Sequence, residues 1–126
     1  MTQIFTAFAS EARVNGEIVE GLQAIEYRHV RNRFDVGAIG TDERVAVYFG
    51  LRLVAGQLRV ASDSPALDAL LASGETFAVS ATLRHGDAAR TVTFDDCVME
   101  EKTFALATQA HGESTYTFSA TRVREE

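Results

Sequence analysis

Three histidines, His29, His85 and His111, stand far apart in the chain. None falls in an H-x-x-x-H or H-E-x-x-H spacing that would set two imidazoles on one metal ion. They read as surface residues, and no metal site is expected. Cys97 could act as a nucleophile only beside a histidine base, and its setting, Phe94-Asp95-Asp96-Cys97-Val98-Met99, places negative charge where a thiolate would form. A free, half-buried strand cysteine that tolerates substitution is expected. The pairs Asp95-Asp96 and Glu100-Glu101 could suggest acid/base work or calcium binding, but adjacent strand residues point to opposite faces and no D-x-[DN]-x-[DN]-G loop accompanies them. There is no G-x-x-x-x-G-K-[ST], no G-x-G-x-x-G and no G-x-S-x-G. Neither catalysis nor a cofactor is indicated. The remaining cluster is basic: Arg28, His29, Arg31 and Arg33. On a strand edge such charges block unwanted pairing, whereas opposite an acidic surface of an identical neighbour they would form a contact patch. The residues alone leave both readings open.

The elements that must position this cluster are short and regular. Asn15-Gly16 between Ala12–Val14 and Glu17–Val19 predicts an opening hairpin. Leu22 to Arg31 alternates, with Ile25 and Tyr27 on one face, and predicts a strand. Asn32 to Arg44, with Gly37 and Gly40 and no period, reads as a loop of a dozen or so residues. From Val45 to Ala61 the alternation of Val47, Phe49, Leu51 and Leu53 predicts a long half-buried strand, with Gly56 as a bend or bulge. Ser64 to Gly74 carries N-cap, proline at the first position, Leu67, Leu70 and Leu71, and a glycine stop, which together predict a helix. Further strands are predicted at Phe77–Leu83, around Val92–Asp95, at Thr103–Gln109 and at Thr115–Thr121, with turns at His85-Gly86-Asp87 and His111-Gly112-Glu113. No strand-helix-strand alternation recurs. The expected fold is mainly β, a two-sheet antiparallel β-sandwich or barrel of seven or eight strands with one short α-helix plugging an end or covering a sheet face.

Composition bounds the function. The 126 residues fit one domain, 1–126, large enough for a core without staples. Eighteen acidic against twelve basic residues give a net charge of -6, which disfavours a phosphate-backbone binder. One cysteine excludes a disulfide scaffold. No signal-like leader and no apolar run of about eighteen residues is present, so no membrane partner is expected.

The order of features resembles the tail tube proteins of contractile phages and related injection systems, a group that includes the tubes of type VI secretion. The resemblance rests on Asn15-Gly16-Glu17, the strand Leu22–Val30, Asp35-Val36-Gly37-Ala38-Ile39-Gly40, Gly50, Val54-Ala55-Gly56-Gln57-Leu58-Arg59-Val60, the leucines of the helix, Arg90-Thr91-Val92-Thr93-Phe94-Asp95-Asp96-Cys97 and Tyr116-Thr117-Phe118-Ser119-Ala120. It covers about residues 12 to 123. It implies a two-sheet β domain that closes into hexameric rings, whose inner sheets join into one cylinder and which stack through a long loop between early strands. On that resemblance the subunit contact comprises Arg28, Arg31 and Arg33 as a basic stem, with Phe34, Asp35, Thr41, Asp42, Glu43 and Arg44. In an acidic protein that contact calls for opposite charges, and acidic turn residues such as Asp87, Asp95 or Glu113 are the candidate counterparts of the arginines, with no choice among them.

The partners implied are further copies of the chain, tail sheath and baseplate proteins, and DNA or an effector passing through the lumen without specific binding. An acidic lumen would repel DNA and let it pass. The implied location is a virion tail assembled in the bacterial host cytoplasm, or a cytoplasmic injection particle. The chain is short for the group and its loop compact, so a tube initiator, baseplate or tail-completion protein of the same fold is a second reading. A monomeric β-barrel holding a ligand in its interior or mouth is a third. The scarcity of polar residues at interior strand positions favours the tube.

Overall fold

The computed structural model describes residues 6–85 and 87–126. The strands are β1 (Thr6–Val14), β2 (Glu17–Ile18), β3 (Leu22–Val36), β4 (Ala46–Ala61), β5 (Phe77–His85), β6 (Ala88–Ala105), β7 (Glu113–Ala120) and β8 (Arg122–Glu125), and α1 (Pro65–Ser73) lies between β4 and β5. Asn15 and Gly16 both take positive φ, 51° and 85°, the geometry a two-residue hairpin turn requires. The Asn15 side chain also accepts a hydrogen bond from the Ala78 N–H at 3.0 Å, which fastens the turn to β5.

Neighbours in the order β2-β1-β5-β6-β7-β4-β3 pair antiparallel, and β8 pairs with β6. The long strand β6 belongs to two sheets. Its first part pairs with β5 and β8, and its second part, from Val98 onward, pairs with β7. The transfer occurs at Asp96, whose φ is 51°. Between the two sheets lie Val54, Leu58, Val60, Val79, Val92, Phe94, Cys97, Tyr116 and Phe118, all buried. This is the expected antiparallel sandwich.

The helix has the expected ends. Ser64 Oγ accepts from the Leu67 N–H at 3.4 Å, and Gly74 closes it at φ 71° with its N–H on the Leu70 carbonyl. Leu67 enters the core. A polar staple holds the other side: Tyr116 Oη donates to Asp68 at 2.9 Å and accepts from the Ser64 N–H at 3.0 Å, while Lys102 Nζ lies 2.7 Å from Asp68. The Lys102 ammonium, with Tyr116, holds the Asp68 carboxyl below the usual carboxylate range.

Four sequence expectations are corrected. Asn32 to Val36 is strand, not loop, so the connection shrinks to residues 37–45. The strand's alternation is present but reversed in chemistry, with Arg33 and Asp35 on the face continuous with the core and Phe34 and Val36 on the other; the one bulge is on β4, where Gly50 and Leu51 stand opposite Asn32. Gly56 is neither bend nor bulge, since pairing runs unbroken from Tyr27 through Gly56 to Phe118. A Cβ there would stand 2.5 Å from Phe118 Cζ, so the glycine makes room for that buried ring. The separate strand at Thr103–Gln109 does not exist: residues 103–105 end β6, and 106–112 form a loop that turns at 108–110, ahead of the expected position. Strand β8 was not expected. The β5–β6 turn does form, with His85 opposite Ala88, while Gly86 lies outside the described residues.

Candidate functional site

β3 and β4 are fifteen and sixteen residues long, and only part of each covers the core. In the covering part, Ile25 packs against the core and Val54, Leu58 and Val60 are buried in it. Beyond the Val30–Leu53 pair the two strands project as an arm on which every described residue is exposed or half-exposed. Alternation continues along the arm but its chemistry reverses. The face continuous with the core carries Arg31, Arg33 and Arg52 with Phe49, and the opposite face carries Val30, Phe34, Val36, Tyr48 and Leu53.

Local contacts hold the arm together. Phe34 stacks on Tyr48 with ring centroids 5.2 Å apart, and its ring occupies the space over Gly50, where a Cβ would stand 2.9 Å from it. The Arg31 guanidinium lies 4.8 Å from the Phe49 ring centroid. Asp35 lies 3.9 Å from Arg33 and 3.4 Å from Arg44. At the tip, the Glu43 N–H donates to Thr41 Oγ1 at 3.1 Å. Arg31 and Arg52 face each other across the strands, and among the described residues no carboxylate pairs with either. Like charges placed directly opposite repel, so this pair is a source of unneutralised positive potential.

The structure therefore gathers the residues singled out from the sequence onto one projecting hairpin. Arg28 sits at its base, Arg31, Arg33, Phe34 and Asp35 on its first strand, and Thr41, Asp42, Glu43 and Arg44 in its tip. Two of the three suggested acidic counterparts are engaged within the chain. Asp95 holds Arg122 at 2.7 Å and Arg124 at 2.9 Å, and Glu113 holds Arg59 at 2.8 Å.

A second surface lies on the outward face of the β6-β7-β4-β3 sheet. Its rows read Ala24, Arg59, Thr115, Thr103; then Glu26, Gln57, Thr117, Glu101; then Arg28, Ala55, Ser119, Val98. This face is hydroxyl-rich and nearly balanced in charge. Among the described residues, both edges of this sheet, β3 and the second part of β6, lack a strand partner. Val30 and Val98, one near each edge's arm end, are exposed.

A third feature is a groove of about 400 Å³ at the open side of the sandwich, among Ala12, Ile18, Leu22, Ile25 and Leu83, with Glu11 and Glu20 on its rim. Ser114, the one buried polar residue described, lies elsewhere and donates to the Ser62 carbonyl at 2.5 Å. No buried polar side chain lacks a partner among the described residues, so none is held ready for a ligand.

Cys97 is fully buried rather than half-buried, and burial, aided by Asp95 and Asp96, pushes its thiol up to about 12. Among the described residues no three His, Cys, Asp or Glu side chains gather as metal ligands. No described helix is long and apolar enough to cross a membrane.

No protein-family model matches the sequence, and no curated protein matches it. Solved structures do match in fold. The tube-terminating cap of the anti-feeding prophage has a TM-score of 0.71 at 11% identity, covering 100% of this chain and 93% of that one. The SPP1 tail tube has a TM-score of 0.73 at 7% identity, covering 98% and 79%. The tail of a gene transfer agent particle, computed with C6 symmetry, has a TM-score of 0.61 at 12% identity, covering 87% and 85%. The chain thus has the fold found in phage and injection-system tail tubes.

Proposed function

We propose that the chain is a structural, non-enzymatic subunit of a phage-tail-like tube. The observation that carries this reading is the four-stranded β6-β7-β4-β3 sheet, with two unpaired edges and an arm of exposed apolar side chains rising from one of them. Its four strands alternate in direction, so β3 of one copy can pair antiparallel with the second part of β6 of the next, and identical copies continue one antiparallel sheet. Such a sheet loses its edges only by closing. The C6 symmetry used for the gene transfer agent tail supports six copies. Twenty-four strands at about 4.8 Å spacing give a cylinder roughly 37 Å across between backbones.

The outward face of that sheet then lines the channel. Its threonines, Ser119 and Gln57, with acidic Glu26, Glu101 and Glu113 against basic Arg28 and Arg59, make it hydrated and only mildly acidic. DNA or an effector would pass without being held. The arm joins one ring to the next, and sheath and baseplate proteins are the further partners of such a tube, in a virion tail or injection particle. A terminating or initiating ring of the same fold is the second reading, favoured by the likeness to the prophage cap.

Negative-stain microscopy at high protein concentration tests this reading, and rings or tubes with a central channel are expected. Sedimentation of a monomer alone at every concentration would overturn it.

A further inference from the structure

We propose that the depression at the end of the β6-β7-β4-β3 sheet opposite the arm receives the arm tip of a second copy. This rests on the tube reading above and adds the receptor surface. Strand β4 runs from Ala46 at the arm to Ala61, which pairs with Glu113, itself paired with Ala105. The loop 106–112 and the tip 37–45 therefore stand at opposite ends of one sheet.

The two ends match in shape. At the tip, Ile39 is wholly exposed, and Asp42 and Glu43 make no ion pair among the described residues. The depression, about 360 Å³, is walled by Ala105, Ala107 and Ala110, with Arg59 and His111 beside Glu113 on its rim. Methyl walls leave room for one branched aliphatic side chain, and on the rim Glu113 is already paired with Arg59, so among the described residues no unpaired carboxylate there opposes the tip. Phe104 stands next to it, its ring against Gly112, where a Cβ would lie 3.0 Å away. The groove at the open side of the sandwich is the weaker receptor, because Glu20 on its rim, with no basic partner among the described residues, would meet the acidic tip, whereas Glu113 is paired with Arg59. Tip and depression are different surfaces, so every contact leaves one of each free, and the contact repeats along an axis without closing.

The variants Ile39→Cys and Ala107→Cys, purified separately, mixed, assembled and then oxidised, should give a reducible species of twice the monomer mass, whose linked peptides contain positions 39 and 107. Neither variant alone should give it. Because both side chains are exposed, Ile39→Asp and Ala107→Asp should fold normally and each form rings that do not stack. Mixed, they should form ring pairs and nothing longer, since only one productive contact exists between them. Long tubes from either Asp variant, or tubes in which the two introduced thiols never link, would overturn the receptor assignment and leave the tube reading standing. A parent protein that forms neither rings nor tubes would remove both.

Discussion

The inner and outer halves of the β3–β4 hairpin are built from the same two strands and the same two-residue period, yet they obey opposite rules. In the inner half the buried side chains facing the second sheet, such as Ile25, Val54, Leu58 and Val60, are apolar and most of those facing away are polar or small, as burial against a partner layer within the chain demands. In the arm the continuing face becomes arginine-rich and the outward face becomes apolar. A hydrophobic pattern reports where a strand's partner lies, and in the arm the pattern points off the molecule. The inner half serves folding, and the arm is the surface proposed here for association.

Substitution separates these roles most strongly at the aromatic rings. Phe118, buried over Gly56 and edge-on to Phe94 at 5.4 Å, should cost about 3–5 kcal/mol when replaced by alanine, a Tm loss on the order of 10 °C or more by thermal melting. Phe34→Ala should cost under about 1 kcal/mol, with tubes nevertheless shortened in micrographs. Equal Tm losses from the two changes would erase the distinction.

Charge reversal on the arm comes next. Arg31→Glu with Arg33→Glu should leave circular dichroism unchanged, since exposed changes usually cost within about 0.5 kcal/mol, while tube lengthening fails. Parental tube lengths, or outright unfolding, would show that these arginines do not serve the contact.

The third outcome concerns acid and the chain end. Arg122 and Arg124 hold the Asp95 carboxyl below the usual carboxylate range, so docking of β8 is fully supported above the ordinary carboxylate pKa. That support is lost as pH falls through the lowered one. Hydrogen exchange at Arg122–Glu125 should accelerate only in that acid range, and Asp95→Asn should bring the faster exchange to neutral pH.

The smallest effect is expected at Cys97. Cys97→Ser should assemble as the parent does, and the parent thiol, raised to about 12, should resist alkylation at pH 8 until denaturant is added. Rapid labelling of the folded protein would contradict its burial.

What could be read in advance follows from how local each signal is. The Asn15-Gly16 turn and the Ser64 to Gly74 helix are written in residues whose backbone preferences act within a few positions, and both stand where the sequence placed them. The arm's basic and acidic residues were legible as a group because they are contiguous. The missed features depend on distant partners. β6 read as two strands because its buried positions shift phase between Phe94 and Cys97, where Asp96 takes a positive φ. β8 has a single apolar residue, Val123, and is held by its pairing with β6, by Val123 against the core and by Asp95, Arg90 and Tyr27, the last two meeting Glu125 at 2.6 Å each. The depression near Ala107 is formed by a loop whose composition carries no motif.

The passage of β6 through both sheets has a mechanical meaning. Layers held together only by side-chain packing can slip when sheared, but here the polypeptide itself runs from one layer into the other. In the tube proposed here, a load placed on one sheet would reach the other along covalent bonds, and the two layers would deform together.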